Sequence, residues 1–284
     1  MADYCDLTKG ANELDINVYK SNAYNLRKKE DINHINNLNI DIAFVIGWQR
    51  LIPDEILNTM SIGCFGMHGS SMNLPLGRGR SPMNWSIIEN RKHFYTNLFK
   101  YDSGVDSGEV LDTFKFNITQ RDTAETMHFK NVLAMKYLLE KNLNELLNGN
   151  IKLNNQKNVT PTYYPKRKPS DSLIDWGMDV YQIERFIRSV TKPFNGAFSY
   201  LDKKVTIYDS QVFDNSEYGY HQREVGEVVV VFPGGKFLIK CNGGLLLINE
   251  WETESNTIHV GKIFNNGGRI IKEFKRNRFG FFDL

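Results

Sequence analysis

This chain has little cysteine, no long apolar run and almost no excess charge, and each shortage closes a class of function. Cys5, Cys64 and Cys241 lie far apart, in no metal or redox spacing. Cys64 falls in an apolar stretch and reads as a small core residue, and an odd, scattered count suits a reducing cytoplasm. No apolar run approaches the length that crosses a bilayer, and the opening Met1-Ala2-Asp3-Tyr4-Cys5-Asp6 lacks the form of a signal peptide. A cytoplasmic protein without membrane segments is expected, and the Asn117-Ile118-Thr119 and Asn158-Val159-Thr160 sequons read as chance. A formal charge of +2 gives no reason to expect nucleic acid as an obligatory partner. The basic runs at Lys166-Arg167-Lys168 and Lys272 to Arg278 are short and read as solvated surface. His34, His93, His128, His221 and His259 form no ligand spacing, so no metal is expected. Ser70-Ser71 beside His68 lacks a Gly-x-Ser-x-Gly frame, which sets a serine hydrolase aside.

What is there is ordinary globular material, 41% hydrophobic and 24% charged over 284 residues, enough for one full core and a smaller second module. Ile16 to Tyr19 is a short strand candidate, Lys28 to Leu38 has helical character, and Ile40 to Ile46 is a continuous apolar run of buried-strand type. A helix is expected over Asp54 to Met60 with Asp54 as cap, then a strand over Ser61 to Met67 leading into His68. Ser81 to Glu89 starts a helix with Pro82 in its first turn. Tyr95 to Tyr101 and Glu109 to Ile118 read as strands around a Gly/Asp turn. Asp122 to Asn148 reads as a long helix whose apolar stripe is Met127, Leu138, Leu139, Leu143, Leu146 and Leu147. Strands alternating with helices argue for a doubly wound, mostly parallel α/β sheet. A polar stretch from Gly149 is a linker, and an amphipathic helix carries Ile183, Phe186, Ile187 and Val190. Five short strands follow, at 196–201, 205–212, 228–232, 237–241 and 245–251, separated by Gly-rich turns. They suggest a small barrel of oligonucleotide/oligosaccharide-binding type. The expected division is 1–148, 149–177 as linker, and 178–284.

The chemistry concentrates between Gly66 and Gly108. His68 and Asp106 each sit where a strand-like run ends, joined by the loop Leu74-Pro75-Leu76-Gly77-Arg78-Gly79-Arg80-Ser81-Pro82. Ligands of open α/β sheets bind beyond the carboxyl ends of the strands, so two titratable side chains delivered there point to acid–base chemistry. Taken alone, His68 reads as a strand-end cap and Asp106 as turn chemistry. Arg78 and Arg80 suit a diphosphate or a sugar hydroxyl by geometry, and equally suit solvent.

This wording resembles the folate-dependent formyltransferase family, whose members read Asn-x-His-x-Ser, Leu-Pro, Arg-Gly-x-x-Pro and Asp-x-Gly-x-Asp-x-Gly. Arg78 to Trp85, Arg167 to Trp176 and Pro193 to Tyr200 are similar in particular to the domain that formylates UDP-4-amino-4-deoxy-L-arabinose. The resemblance implies His68 as general base and acid, Asp106 as its catalytic partner, and 10-formyltetrahydrofolate as formyl donor. It also implies that Trp48, Gln49, Leu51, Ile52 and Pro53 form the folate side, although a core position is the more frequent fate of a tryptophan such as Trp48. Arg78 and Arg80 are then substrate-binding. The acceptor implied is the amine of a nucleotide-linked amino sugar destined for surface polysaccharide. Methionyl-tRNA formyltransferase, with tRNA as partner, is one alternative, and a catalytically weak folate- or nucleotide-binding homologue is another. Whether the chain forms a homodimer is left open.

Two departures stand out. The family's catalytic asparagine position holds Gly66, which cannot donate to a formyl oxygen. Asn73 and Asn84 are candidate replacement donors, as are a backbone N–H and protonated His68. The second departure is a slightly longer loop before Arg78. The start differs as well: the sequence begins after the point where the family's first β-α-β unit is expected, so the chain is truncated, its start is misassigned, or its sheet closes differently. A sheet without its central strand would leave backbone groups unpaired, so weak independent stability is expected.

Overall fold

The computed structural model of the chain describes residues 5–254 and 257–282. The fold is mixed α/β with a separate antiparallel sheet toward the C-terminus. Two compact units interleave in sequence. The first comprises Met1–Gly79, Tyr95–Phe116 and Asn131–Thr162, and the second Arg80–Phe94, Asn117–Lys130 and Tyr163–Leu284.

The first unit opens with helices α1 (Thr8–Glu13) and α2 (Lys29–Asn37). No strand forms at Ile16 to Tyr19, against expectation. Ile16 and Val18 stay 56% and 51% exposed, and Tyr19 turns to α2, stacking on His34 and donating its hydroxyl to Asp31 at 2.7 Å. Buried Asp31 also accepts the Asn22 and Ala23 backbone amides, so this segment is tied down by a carboxylate instead of a ladder.

Strand β1 (Ile42–Val45) is followed by the single-turn helix α3 (Asp54–Leu57), capped by Pro53 and not by Asp54. Strands β2 (Gly63–Ser70), β3 (Arg78–Gly79), β4 (His93–Lys100) and β5 (Val110–Asn117) follow, with helix α4 (Pro82–Ile88) after β3. One sheet runs β1-β2-β4-β5. It is parallel between β1 and β2 but antiparallel between β2 and β4, so it is mixed and not mostly parallel. Helix α5 (Ala124–Leu147) covers one face, where Leu138 and Leu146 pack on Phe65 and Leu98. Of the expected stripe on α5, Leu143 and Leu147 are instead 41% and 56% exposed. The other face of β2 carries a smaller cluster of Ile52, Ile56, Met60 and Cys64.

The second unit holds β6 (Tyr163–Tyr164), helix α6 (Val180–Val190) and strands β7 (Ala197–Tyr200), β8 (Lys204–Asp214), β9 (Val228–Val231), β10 (Phe237–Cys241) and β11 (Gly244–Thr253). All five expected strands are present, in the order β7-β8-β11-β10-β9. Asp179 caps α6 reciprocally with Gln182, and Ile183, Phe186, Ile187 and Val190 bury their side chains in one large cluster with Phe237, Ile239 and Ile248. No helix among the described residues is long and apolar enough to cross a membrane.

Candidate active site

The site is built on β2, β4 and the loop after β4. Strand β2 runs to Ser70, three residues past its expected end, so His68 lies within the strand and is held in register opposite Asn97 of β4. Directly paired residues of an antiparallel pair share a face. His68 and Asn97 therefore point the same way, along with Gly66 and Phe99, away from α5.

His68 is 7% exposed and its ring is held at both nitrogens. Nε2 lies 2.8 Å from the Gly77 carbonyl, which can only accept, so Nε2 carries a proton. Nδ1 lies 3.4 Å from Oδ2 of Asp106, a looser contact than an ordinary hydrogen bond. The same Asp106 oxygen accepts the Gly79 amide at 2.9 Å. Asp106 itself adopts a left-handed backbone, φ 49°, a conformation that Asp tolerates better than most residues.

Gln156 supports this arrangement and is not signalled by the sequence, where it lies in a polar linker. Its amide nitrogen donates to the Asp106 and Gly108 carbonyls, both at 2.8 Å, and its oxygen accepts Arg78 Nη2 at 2.6 Å. One glutamine thus fastens the aspartate turn and an expected substrate arginine together. The Arg78 and Gly77 amides are in turn bound by Thr162, through its carbonyl and its hydroxyl at 2.9 Å each.

The remaining expected residues divide. Leu51, Ile52 and Pro53 line a cavity of about 400 Å³ together with Arg27, Ile32 and Ser103. Trp48 packs against the neighbouring apolar cluster and meets Tyr24 at 4.5 Å between ring centroids. Its buried indole Nε1 has no hydrogen-bond partner among the described residues. The Gln49 amide donates to the Tyr24 hydroxyl at 3.2 Å. Asn73 is exposed, and its side-chain oxygen accepts the Leu74 amide. Arg80 and Asn84 belong to the second unit. There Asn84 is 4% exposed and donates to the Ser189 carbonyl at 2.7 Å, so its amide is already engaged in the core.

Two further groups on the His68 face escaped sequence reading. The Asn97 side-chain oxygen Oδ1 accepts the Thr113 hydroxyl at 2.8 Å, while its buried Nδ2 has no partner among the described residues. Tyr101 bonds its backbone amide to the Cys64 carbonyl at 2.7 Å and stacks on Phe99 at 5.1 Å. Burial, and then the Asp106 carboxylate, push its hydroxyl well above the usual tyrosine range. Cys64 is pushed up to about 11 by burial and stays an unreactive thiol.

The family models for "Formyl transferase" and "Formyl transferase, C-terminal domain" match residues 8–136 and 166–269. Among curated proteins, the bifunctional polymyxin resistance protein ArnA of Wigglesworthia glossinidia brevipalpis is 34% identical over 249 residues, covering 87% of this chain. The chain spans 36% of that protein's length. Of the solved structures, HypX from Aquifex aeolicus is similar with a TM-score of 0.67 at 16% identity, over 85% of this chain and 42% of the other. An N-formyltransferase from Helicobacter canadensis, in complex with folinic acid and dTDP-3-aminofucose, gives 0.61 at 21%, over 87% and 82%. The chain belongs to the formyl transferase family.

Proposed function

We propose that this member of the formyl transferase family moves a formyl group from 10-formyltetrahydrofolate to the amine of a nucleotide-linked amino sugar, in the cytoplasm. The observation that carries the reading is the meeting of His68 and Asp106, 3.4 Å apart, within a loop whose amides and carbonyls fix both. The cavity beside Leu51, Ile52 and Pro53, whose lining also brings in the polar Arg27, Asp54 and Ser103, fits a flat heteroaromatic ring with polar edges. The folate supplies an electrophilic formyl carbon.

The residues' parts follow from the geometry. With Nε2–H donated to Gly77, the basic nitrogen of neutral His68 is Nδ1. Nδ1 takes the proton of the attacking amine, and the adjacent Asp106 carboxylate stabilises the imidazolium so formed. One carbon–nitrogen bond forms to the sugar amine and one breaks to the folate. The proton held on His68 passes to the departing folate nitrogen, so the ring ends as it began. Arg78, oriented by Gln156, presents a planar cation suited to a diphosphate. Arg80 is assigned to the same substrate. Asn73 remains a side-chain candidate for the formyl oxygen, and the Asn84 amide would have to leave Ser189 to serve there. In this reading the five-stranded sheet of the second unit is the small oligosaccharide-binding-type barrel, and the functional division stays at 1–148, a linker, and 178–284. The Helicobacter canadensis complex, which holds dTDP-3-aminofucose, supports a nucleotide-sugar acceptor over tRNA.

Gly66 favours one second reading, a homologue that binds folate or nucleotide with little turnover. Formyl transfer to UDP- and dTDP-linked amino sugars and to methionyl-tRNA, followed by mass spectrometry, separates the readings. An amino sugar should be formylated, and His68→Asn should lower kcat by ~10²–10⁴-fold. Formylation of methionyl-tRNA alone would overturn the acceptor assignment.

A further inference from the structure

We propose that the Tyr101 hydroxyl is the donor to the formyl oxygen, in the place left by the missing asparagine side chain at Gly66. The inference rests on the formyl-transfer reading above. A β-carbon built on Gly66 would lie 2.3 Å from Tyr101 Cε1 and 2.6 Å from its hydroxyl oxygen. The tyrosine ring therefore occupies the volume that any side chain at position 66 would fill. Glycine at 66 and tyrosine at 101 are one joint feature: the lack of a side chain at 66 makes room for the ring of Tyr101.

The placement suits the task. Gly66 precedes His68 by two residues on one face of β2, so their α-carbons lie roughly 6–7 Å apart along the strand. The Tyr101 hydroxyl thus reaches the same face as the imidazole, from the strand end that leads into the Asp106 turn. Tyr101 is held by its backbone bond to Cys64 and its stacking on Phe99. Its hydroxyl has no hydrogen-bond partner among the described residues. Unlike fully buried Asn97, Tyr101 keeps some exposure, so its hydroxyl can meet a ligand. Its raised proton affinity keeps the O–H intact at neutral pH, as a donor to developing negative charge must be.

Two variants and two readouts test this. Tyr101→Phe keeps the ring in the Gly66 space and removes only the donor. Gly66→Asn with Tyr101→Val clears the ring and restores an amide donor. The first readout is kcat for formyl transfer to the amino sugars. The second is the infrared stretch of an isotope-labelled formyl group in a bound, non-transferring 10-formyl dideazafolate analogue, which needs no acceptor. Tyr101→Phe should lower kcat ~10²–10³-fold and raise the stretching frequency. The double variant should recover at least about tenfold over Tyr101→Phe and lower the frequency again. Activity within about threefold of the parent in Tyr101→Phe, with an unmoved stretch, would overturn the proposal while leaving the transfer reading intact. A shifted stretch in a protein that formylates no amino sugar would uphold Tyr101 and overturn the acceptor assignment. A parent protein that binds no formyl folate would overturn both.

Discussion

The two units of this protein are packed to different standards. In the second, α6 and the five-stranded sheet bury one continuous cluster of eighteen residues, from Ile174 to Phe264. In the first, the two faces of β2 carry separate clusters with four fully buried residues each, and a cavity of about 400 Å³ lies beside Ile52. Buried polar atoms without a hydrogen-bond partner among the described residues occur in both units, at Trp48 and Asn97 in the first and at Arg167 and Ser210 in the second. A well-filled core leaves little empty space, because voids cost stability. The difference lies in the apolar cores: that of the first unit is divided and borders the cavity, and that of the second is continuous.

Core truncation in each unit sharpens this contrast most. Phe237→Ala, at 0% exposure in the large cluster, should cost about 3–5 kcal/mol, against about 2–3 kcal/mol for Ile56→Ala beside the cavity. Urea unfolding followed by hydrogen exchange should show the first unit opening before the second. Equal losses and one cooperative, high-temperature transition would break the comparison, and with it the expectation of weak independent stability. A middle-sized effect is expected at Asn84 in the second unit. Asn84→Ala leaves the Ser189 carbonyl buried and unpaired, a cost of about 1–3 kcal/mol measurable by denaturant midpoint. If that variant keeps its stability, its amide is not structural and its candidacy as a formyl-oxygen donor gains weight.

The smallest effect concerns the N-terminal segment of the first unit. Burial alone would raise the Asp31 carboxyl, but hydrogen bonds from Asn22, Tyr19 and Ala23 outweigh it and hold the group down to about 2. A depressed carboxyl stabilises the fold above its unfolded value near pH 3.9 and loses that contribution as pH falls through about 2. Acid titration followed by hydrogen exchange over residues 16–37 should therefore show protection falling between about pH 4 and 2. Asp31→Asn should remove that dependence. An unchanged profile in the variant would detach the segment from this carboxylate.

Much of the molecule was legible in one dimension. Apolar runs and Gly-rich turns located β1, β2 and the five strands of the second unit, since burial on a pleated sheet leaves a pattern within a few neighbouring residues. Pairing His68 with Asp106 was legible because their motif recurs as wording. The loss at Ile16 to Tyr19 has a physical reason: a four-residue apolar alternation does not reveal that Tyr19 has a carboxylate to meet at Asp31. The direction of β4 against β2 was equally hidden, because strand polarity follows from where the chain returns.

By itself, the sequence determined that a histidine and an aspartate stand near a Gly/Arg loop, and that the usual asparagine is absent at Gly66. Only the tertiary structure decided what fills the gap. Tyr101 lies 35 residues further along the chain, and the backbone bond from Tyr101 to Cys64 brings its ring over Gly66. Likewise, Gln156 reaches Asp106 and Arg78 across long stretches of chain. Such contacts are set by strand register and loop closure, which depend on the packing of the whole unit and leave no local trace.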